Sequence, residues 1–215
     1  MGHTGDNIDI SPAGLMKAVW ELPSTEGGKL EGEGQEAHAR GMSLVRKMIE
    51  AGADQSQAAP FYNGRHATTP IIIAAANNDV ACLAFLLSAP FANPNFVDED
   101  GETALLLAAH KGNFNCVAML APICDPNIKD SFGRTALEWA MARGHSESVA
   151  ILAPITDLVA RNGDGETARD YAQRHETARQ YIPLLDAIME RPLLAAAVAE
   201  EGVEPAARLG RKRSL

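Results

Sequence analysis

The 215-residue sequence predicts an all-α fold, a solenoid of stacked helix–turn–helix units joined by hairpin loops. Two observations carry this. The chain aligns with itself: Gly101-Glu102-Thr103-Ala104-Leu105, Gly133-Arg134-Thr135-Ala136-Leu137 and Gly165-Glu166-Thr167-Ala168-Arg169 begin 32 residues apart, and Thr69-Pro70 stands 34 residues before Thr103. A period near 33 belongs to helix-pair solenoids. Composition agrees: 46% of residues are hydrophobic but only 5% aromatic, and alanine is abundant. That mix suits closely packed helices better than a large β-sandwich.

The elements follow in order. Ser11-Pro12 can cap and start a first helix running through Trp20. Pro23–Gln35, rich in Gly and Glu, reads as a flexible connection; Gly27-Gly28-Lys29-Leu30 lacks the Gly-Lys-Ser/Thr of a phosphate loop. Ala37–Ala51, with Leu44, Val45, Met48 and Ile49, reads as the second helix of a divergent unit. The segment Gln55–Thr68 is longer than the later loops and holds Phe61, Tyr62, Arg65 and His66. It reads either as an extended hairpin packed on its neighbours or as a binding finger.

The regular units come next. Thr103 and Thr135 are placed to cap a short helix, with Leu105, Leu107 and Ala108 marking its buried stripe in the first of them. Gly112 and Gly144 end these helices by allowing positive φ. A second helix buries Cys116, Val117 and Leu120, or Val149, Ala150 and Leu152. It is expected to stop at Ala89-Pro90, Ala121-Pro122 and Ala153-Pro154, where proline pushes its predecessor out of the α region. Gly165–Ile188 reads as a terminal cap with a polar outer face, and from Gly202 the tail reads as disordered. The expected organisation is a divergent capping unit over 1–65, regular repeats and cap over 66–190, and a terminal helix with a basic tail over 191–215.

These residues resemble the ankyrin repeat. The family's Thr-Pro-Leu-His opening is half kept at Thr69-Pro70, and its Ala-Ala pair is kept at Ala74-Ala75 and Ala108-Ala109. Its Gly-His stands at Gly144-His145, its Gly-Ala-Asp at Gly52-Ala53-Asp54, and its Asp-x-Asn at Asp125-Pro126-Asn127. The opening histidine is replaced by Ile72, Leu106, Glu138 and Asp170, so the bonds it makes between repeats in the family have no histidine here. The resemblance implies a concave face built from hairpin tips and first helices, and a protein partner lying on it. By register its residues are Thr68, Asn77, Glu99, Asp100 and Glu102, then His110, Lys111, Phe132, Arg134 and Arg143, then Asp164, Glu166, Arg174 and His175. Phe132 stands at a tip where polar residues are usual, and with Arg134 and Arg143 it is the expected hot spot. Trp139 is expected on the buried side.

Charge and chemistry narrow the function. The formal net charge is −9, and Arg208, Arg211, Lys212 and Arg213 crowd the end of the sequence. The remaining body is acidic enough to repel nucleic acid and to attract a partner with a basic segment. Six scattered histidines form no metal or catalytic motif, and Asp98-Glu99-Asp100-Gly101 fails as a calcium loop because Leu107 stands where a bidentate Glu is needed. We therefore expect no enzyme activity, no cofactor and no metal. Cys82, Cys116 and Cys124 read as reduced, buried thiols of a cytoplasmic or nuclear protein. No apolar run is long enough for a leader or a membrane span. Arg211-Lys212-Arg213-Ser214 resembles a kinase site, with Ser214 the candidate phosphoacceptor; a plain solvated tail and an import signal are the other readings. The expectation is a monomeric adaptor, scaffold or regulator, the alternatives being an architectural subunit or the regulatory subunit of an enzyme.

Overall fold

The computed structural model describes residues 9–23, 33–56, 58–61, 66–90 and 92–190. Most of the Gly/Glu-rich connection, residues 62–65, and the expected terminal helix and basic tail with Ser214 lie outside the described residues.

Helix α1 (Pro12–Trp20) starts as its sequence demands, with proline at its first position and the Ser11 hydroxyl accepting from Gly14 N. Helix α2 (Glu33–Glu50) begins before the expected Ala37, taking in residues assigned to the connection. Strands β1 (Ala59–Phe61) and β2 (His66–Thr68) pair antiparallel, so the 55–68 segment is a hairpin. Helix pairs follow: α3 (Pro70–Ala76) with α4 (Val80–Ser88), α5 (Ala104–Lys111) with α6 (Phe114–Leu120), and α7 (Ala136–Arg143) with α8 (Ser146–Leu152). Helix α9 (Ala168–Arg174), a 3-10 turn (Arg179–Tyr181) and α10, over 182–190, close the stack. Helices α1, α3, α5, α7 and α9 pack successively in one row and α4, α6 and α8 in a second.

The core lies between the rows. Leu83, Leu86, Leu105, Leu120, Leu137, Met141 and Leu152 are fully buried, each side chain contributing about 1.5–3 kcal/mol. Thr103 and Thr135 cap as expected, accepting from Leu106 N and Glu138 N, and Thr167 does the same with Asp170 N. Thr69 makes no such bond, since Pro70 already presets the first turn. Gly112 and Gly144 end their helices at φ 77° and 76°.

The proline stops work differently from the expectation. Only Ala89 leaves the α region, at φ −81° and ψ 157°. Its helix end is covered from a distance, because the buried Gln55 donates from Nε2 to Leu86 O at 3.0 Å and Pro90 O at 2.9 Å. Ala121 and Ala153 stay helical, at φ/ψ −51/−40° and −56/−39°. Proline removes one amide there, and the next two return to a single acceptor: Ile123 N and Cys124 N to Leu120 O, Ile155 N and Thr156 N to Leu152 O. That tight turn offsets the steric cost of a helical residue before proline.

Two sets of side-chain bonds repeat along the stack. Asn113, His145 and Thr177, 32 residues apart, each reach back to the end of the preceding first helix, at Ala75 O, His110 O and Ala142 O. On the outer loops, Asn95 Oδ1 accepts from Asp125 N at 2.8 Å and Asn127 Oδ1 from Asp157 N at 2.7 Å. Among the described residues no helix is long and apolar enough to cross a membrane.

Candidate functional site

The hairpin tips between helix pairs are built by one device. Asp98 Oδ1 accepts from Asp100 N and Glu102 N; Asp130 Oδ1 from Phe132 N and Arg134 N; Asn162 Oδ1 from Asp164 N and Glu166 N. Asp98, which opens the stretch tested above as a calcium loop, is thus committed to folding its own turn. Adjacent tips touch: Ser131 N donates to Asp100 O at 3.2 Å. Gly133 sits at φ 73°, and a Cβ there would come within 2.6 Å of Gly163 Cα, so this contact requires glycine.

Asn162 departs usefully from the two aspartates before it. Its side-chain amide donates to Glu138 Oε1 at 2.9 Å, while Glu138 Oε2 accepts from Thr135 N at 2.9 Å. Glu138 is only 3% exposed. It stands where a histidine opens the units in the pattern discussed above, and it ties consecutive units without one. Burial pushes its carboxyl up from 4.5, against the opposing bonds from Thr135 and Asn162 and the charge of Lys129.

The tip face has two unlike halves. Toward α1 lies a cleft of about 200 Å³ floored by Trp20, Ile72, Ile73, Ala76 and Leu107 and rimmed by Asp98, Asp100 and Glu102. Toward α7 stands a cationic aromatic cluster. Phe132 is 67% exposed. The Arg134 guanidinium lies 5.8 Å from its ring centre and 5.0 Å from that of Trp139, and Arg143 lies 5.9 Å from Trp139. The Trp139 indole donates to Asp130 Oδ2 at 2.7 Å, and its ring centre is 4.4 Å from that of His110. Arg134 Nε is buried without a hydrogen-bond partner.

Trp139 corrects the sequence reading, which put it on the buried side. It is half-buried, and it forms the floor of this cluster. Its position four residues before Arg143 was the available signal, since i and i+4 share a helix face. Of the expected site residues, Asp100 and Glu102 come together at the cleft, with Glu99 exposed beside them. His110, Phe132, Arg134 and Arg143 meet around Trp139, and Lys111 is exposed next to His110. Thr68 is buried in the cleft wall. Arg174 and His175 are engaged within the cap: Arg174 bridges Asp164 at 3.2 Å and Glu166 at 2.7 Å, and His175 stacks on Tyr171 at 4.1 Å.

His110 makes this face sensitive to pH. Arg143 Nη2 lies 2.6 Å from its Nε2, and a guanidinium can only donate, so that nitrogen must carry a lone pair. Burial, then the charges of Arg143, Lys111 and His145, lower its pKa from 6.5, with Asp130 opposing. A depressed pKa contributes stability that is present above 6.5 and lost as pH falls through the folded-state value. The ring should therefore titrate below 6.5 in nitrogen-detected NMR, and Arg143→Ala should move the midpoint upward. A midpoint indifferent to that substitution would remove Arg143 as a cause.

The three thiols are inert by environment. Burial raises all of them, Cys116 to about 12 and Cys124 to about 11, and the carboxylate of Asp79 adds to the effect at Cys82 and Cys116. Among the described residues no three metal-binding side chains gather. A family model described as Ankyrin repeats (3 copies) matches residues 36–130. Among curated proteins, none matches the chain.

Proposed function

The chain is an ankyrin-repeat protein, matched over 36–130 and continued by α7 to α10, and from that premise we propose that it is an adaptor or regulator holding a protein partner on its concave tip face. The family's members are in general protein–protein interaction modules. The observation that carries the proposal is the cluster around Trp139, where an exposed phenylalanine and two arginines share one aromatic floor. Aromatic residues and arginine dominate binding hot spots because they bury large areas at low entropic cost. Phe132, Arg134, Arg143, His110 and Lys111 form the centre of the proposed contact, with Glu99, Asp100 and Glu102 at its acidic end. Arg174 and His175 contribute by shaping the cap rather than by touching the partner. The protein works as a monomer, without catalysis or cofactor, and its buried thiols suit the reducing cytoplasm or nucleus.

Combining Phe132→Ala with Arg134→Glu should reduce capture of the partner from a lysate of the native cell by tenfold or more, about 1.4 kcal/mol or above, with the melting temperature unchanged. Undiminished capture by the folded double variant would remove the concave face from the proposal.

A further inference from the structure

A formal net charge of −9 favours a basic partner on average, but a contact is decided by the charges within about 8–10 Å of it, beyond which salt screens the rest. Around Trp139 those charges are positive. Lys111 and Arg143 are exposed and Arg134 is half-buried, and among the described residues none of the three pairs with a carboxylate. The acids of the same tip and of the next are engaged elsewhere. Asp130 accepts from the Trp139 indole and from two amides of its own turn, and Asp164 and Glu166 are bridged by Arg174. Arg134 is the clearest case. Its guanidinium lies against the rings of Phe132 and Trp139, its Nε is buried without a hydrogen-bond partner, and its donors reach no acceptor among the described residues. A cation that has exchanged water for two aromatic faces, with no anion beside it, carries a desolvation cost that a carboxylate would offset. Arg143 uses one donor on His110 Nε2 and keeps the others.

We propose that the partner is recognised through an acidic segment: one carboxylate side chain pairs with Arg134, a second pairs with Arg143, Lys111 adds a third positive charge, and an apolar side chain of the segment lies on the ring of Phe132. This rests on the reading of the concave face as the binding surface, and gives that surface a chemistry. The two guanidiniums share the Trp139 ring but are held by different neighbours, Arg134 by Phe132 and Arg143 by His110. Held in this way they lose little freedom when a carboxylate arrives, and each offers a fork of donors that matches its two oxygens. Phe132, 67% exposed, supplies the apolar area that exposed ion pairs alone lack. An acidic protein can thus hold an acidic segment, because the field at this face is opposite to the average of the chain.

The test is selection from a displayed library of random peptides on the full chain. Peptides of about 12 residues, at roughly 3.3 Å each, cross neighbouring tips about 10 Å apart. The expected result is enrichment of peptides in which Asp or Glu stands near an apolar residue. Selection on Arg134→Glu/Arg143→Glu should lose that preference and favour Lys or Arg instead. Arg134→Lys/Arg143→Lys, which keeps both charges, should retain it at lower affinity. The strongest peptide, synthesised free, should bind the charge-reversed variant about tenfold or more weakly than the parent chain, and should shift the Trp139 indole signal in NMR. Neutral or basic peptides enriched on the parent chain, acidic peptides that charge reversal leaves unaffected, or a Trp139 signal that stays in place, overturn the acidic segment. Displacement of the peptide by an equimolar random single-stranded DNA makes the face a nucleic-acid site and overturns it too. Enrichment that Phe132→Ala/Arg134→Glu does not diminish overturns the concave-face reading itself, and so does a complete lack of enrichment. If Glu200→Ala/Glu201→Ala/Glu204→Ala in the full chain raises enrichment about tenfold or more, the occupant is the chain's own acidic segment and the proposal of a partner falls.

Discussion

Replacing Glu138 by alanine should cost about 3 kcal/mol, seen as a fall of roughly 6–12 °C in melting temperature. The carboxylate is buried and takes three donors: Thr135 N, the Thr135 hydroxyl and Asn162 Nδ2. Alanine strands them where water does not reach, and the link between two consecutive units is lost. Glu138→Gln is isosteric but should still cost about half as much, since it must set one NH2 against another donor. Asn162 cannot turn to relieve this, because its carbonyl oxygen already receives Asp164 N and Glu166 N. Adding Asn162→Asp reverses the second donor into an acceptor, so the double variant should recover most of the loss. A double variant no more stable than Glu138→Gln alone would refute this pairing. The pH dependence has a definite sign. The folded-state pKa is raised above 4.5, so the group's contribution is fully present below that value and is lost as pH rises through the folded-state pKa. Glu138→Gln should flatten that part of the stability curve.

Asp79→Ala should cost a comparable amount, about 2–3 kcal/mol by denaturant unfolding. Asp79 is 2% exposed and serves two elements at once. Its Oδ1 caps α4 by accepting from Cys82 N at 2.9 Å, and its Oδ2 lies 2.6 Å from His38 Nε2 on α2. Alanine uncaps α4 and removes the hydrogen-bond partner of the largely buried His38 ring. Asp79→Asn keeps a capping oxygen and should cost less than half as much. Because His38 ties α2 to the regular stack, amide exchange in α2 should accelerate more than in α7 or α8. A loss below about 1 kcal/mol, with α2 exchange unchanged, would show that the His38–Asp79 bond does not hold that helix.

How far the sequence foretold this follows from what each signal measures. The period, the threonine caps and the positive-φ glycines were legible because each depends on a few adjacent residues. The register placed Phe132 at a tip but left open whether it packs against the neighbouring hairpin, and it stands 67% exposed. The helical alanines before Pro122 and Pro154 were not legible: proline's local rule was outweighed by a turn that returns two amides to one carbonyl. Gln55 was missed because its acceptors lie more than thirty residues away. The Glu138–Asn162 tie was hidden for the same reason, although both residues depart from their counterparts in the repeat, and paired departures are what such a tie would leave. Trp139 was assigned to the buried side by its register on the helix, and its i+4 arginine was overlooked.

The asparagine bonds of the outer loops have a further consequence, best put in the vocabulary of polymer growth. Asn95 and Asn127 each offer an acceptor to the next unit, and each unit supplies the amide that the one before it needs. These are propagation steps. At the next equivalent position stands Val159, 64% exposed, which has no acceptor to offer. Valine is a chain terminator in this sense. A 32-residue unit copied into the middle of the stack would find both halves of every such bond, whereas one appended beyond α10 would meet a side chain that cannot receive it. Lengthening by internal duplication is therefore compatible with this architecture, and lengthening from this end requires Val159 to change first.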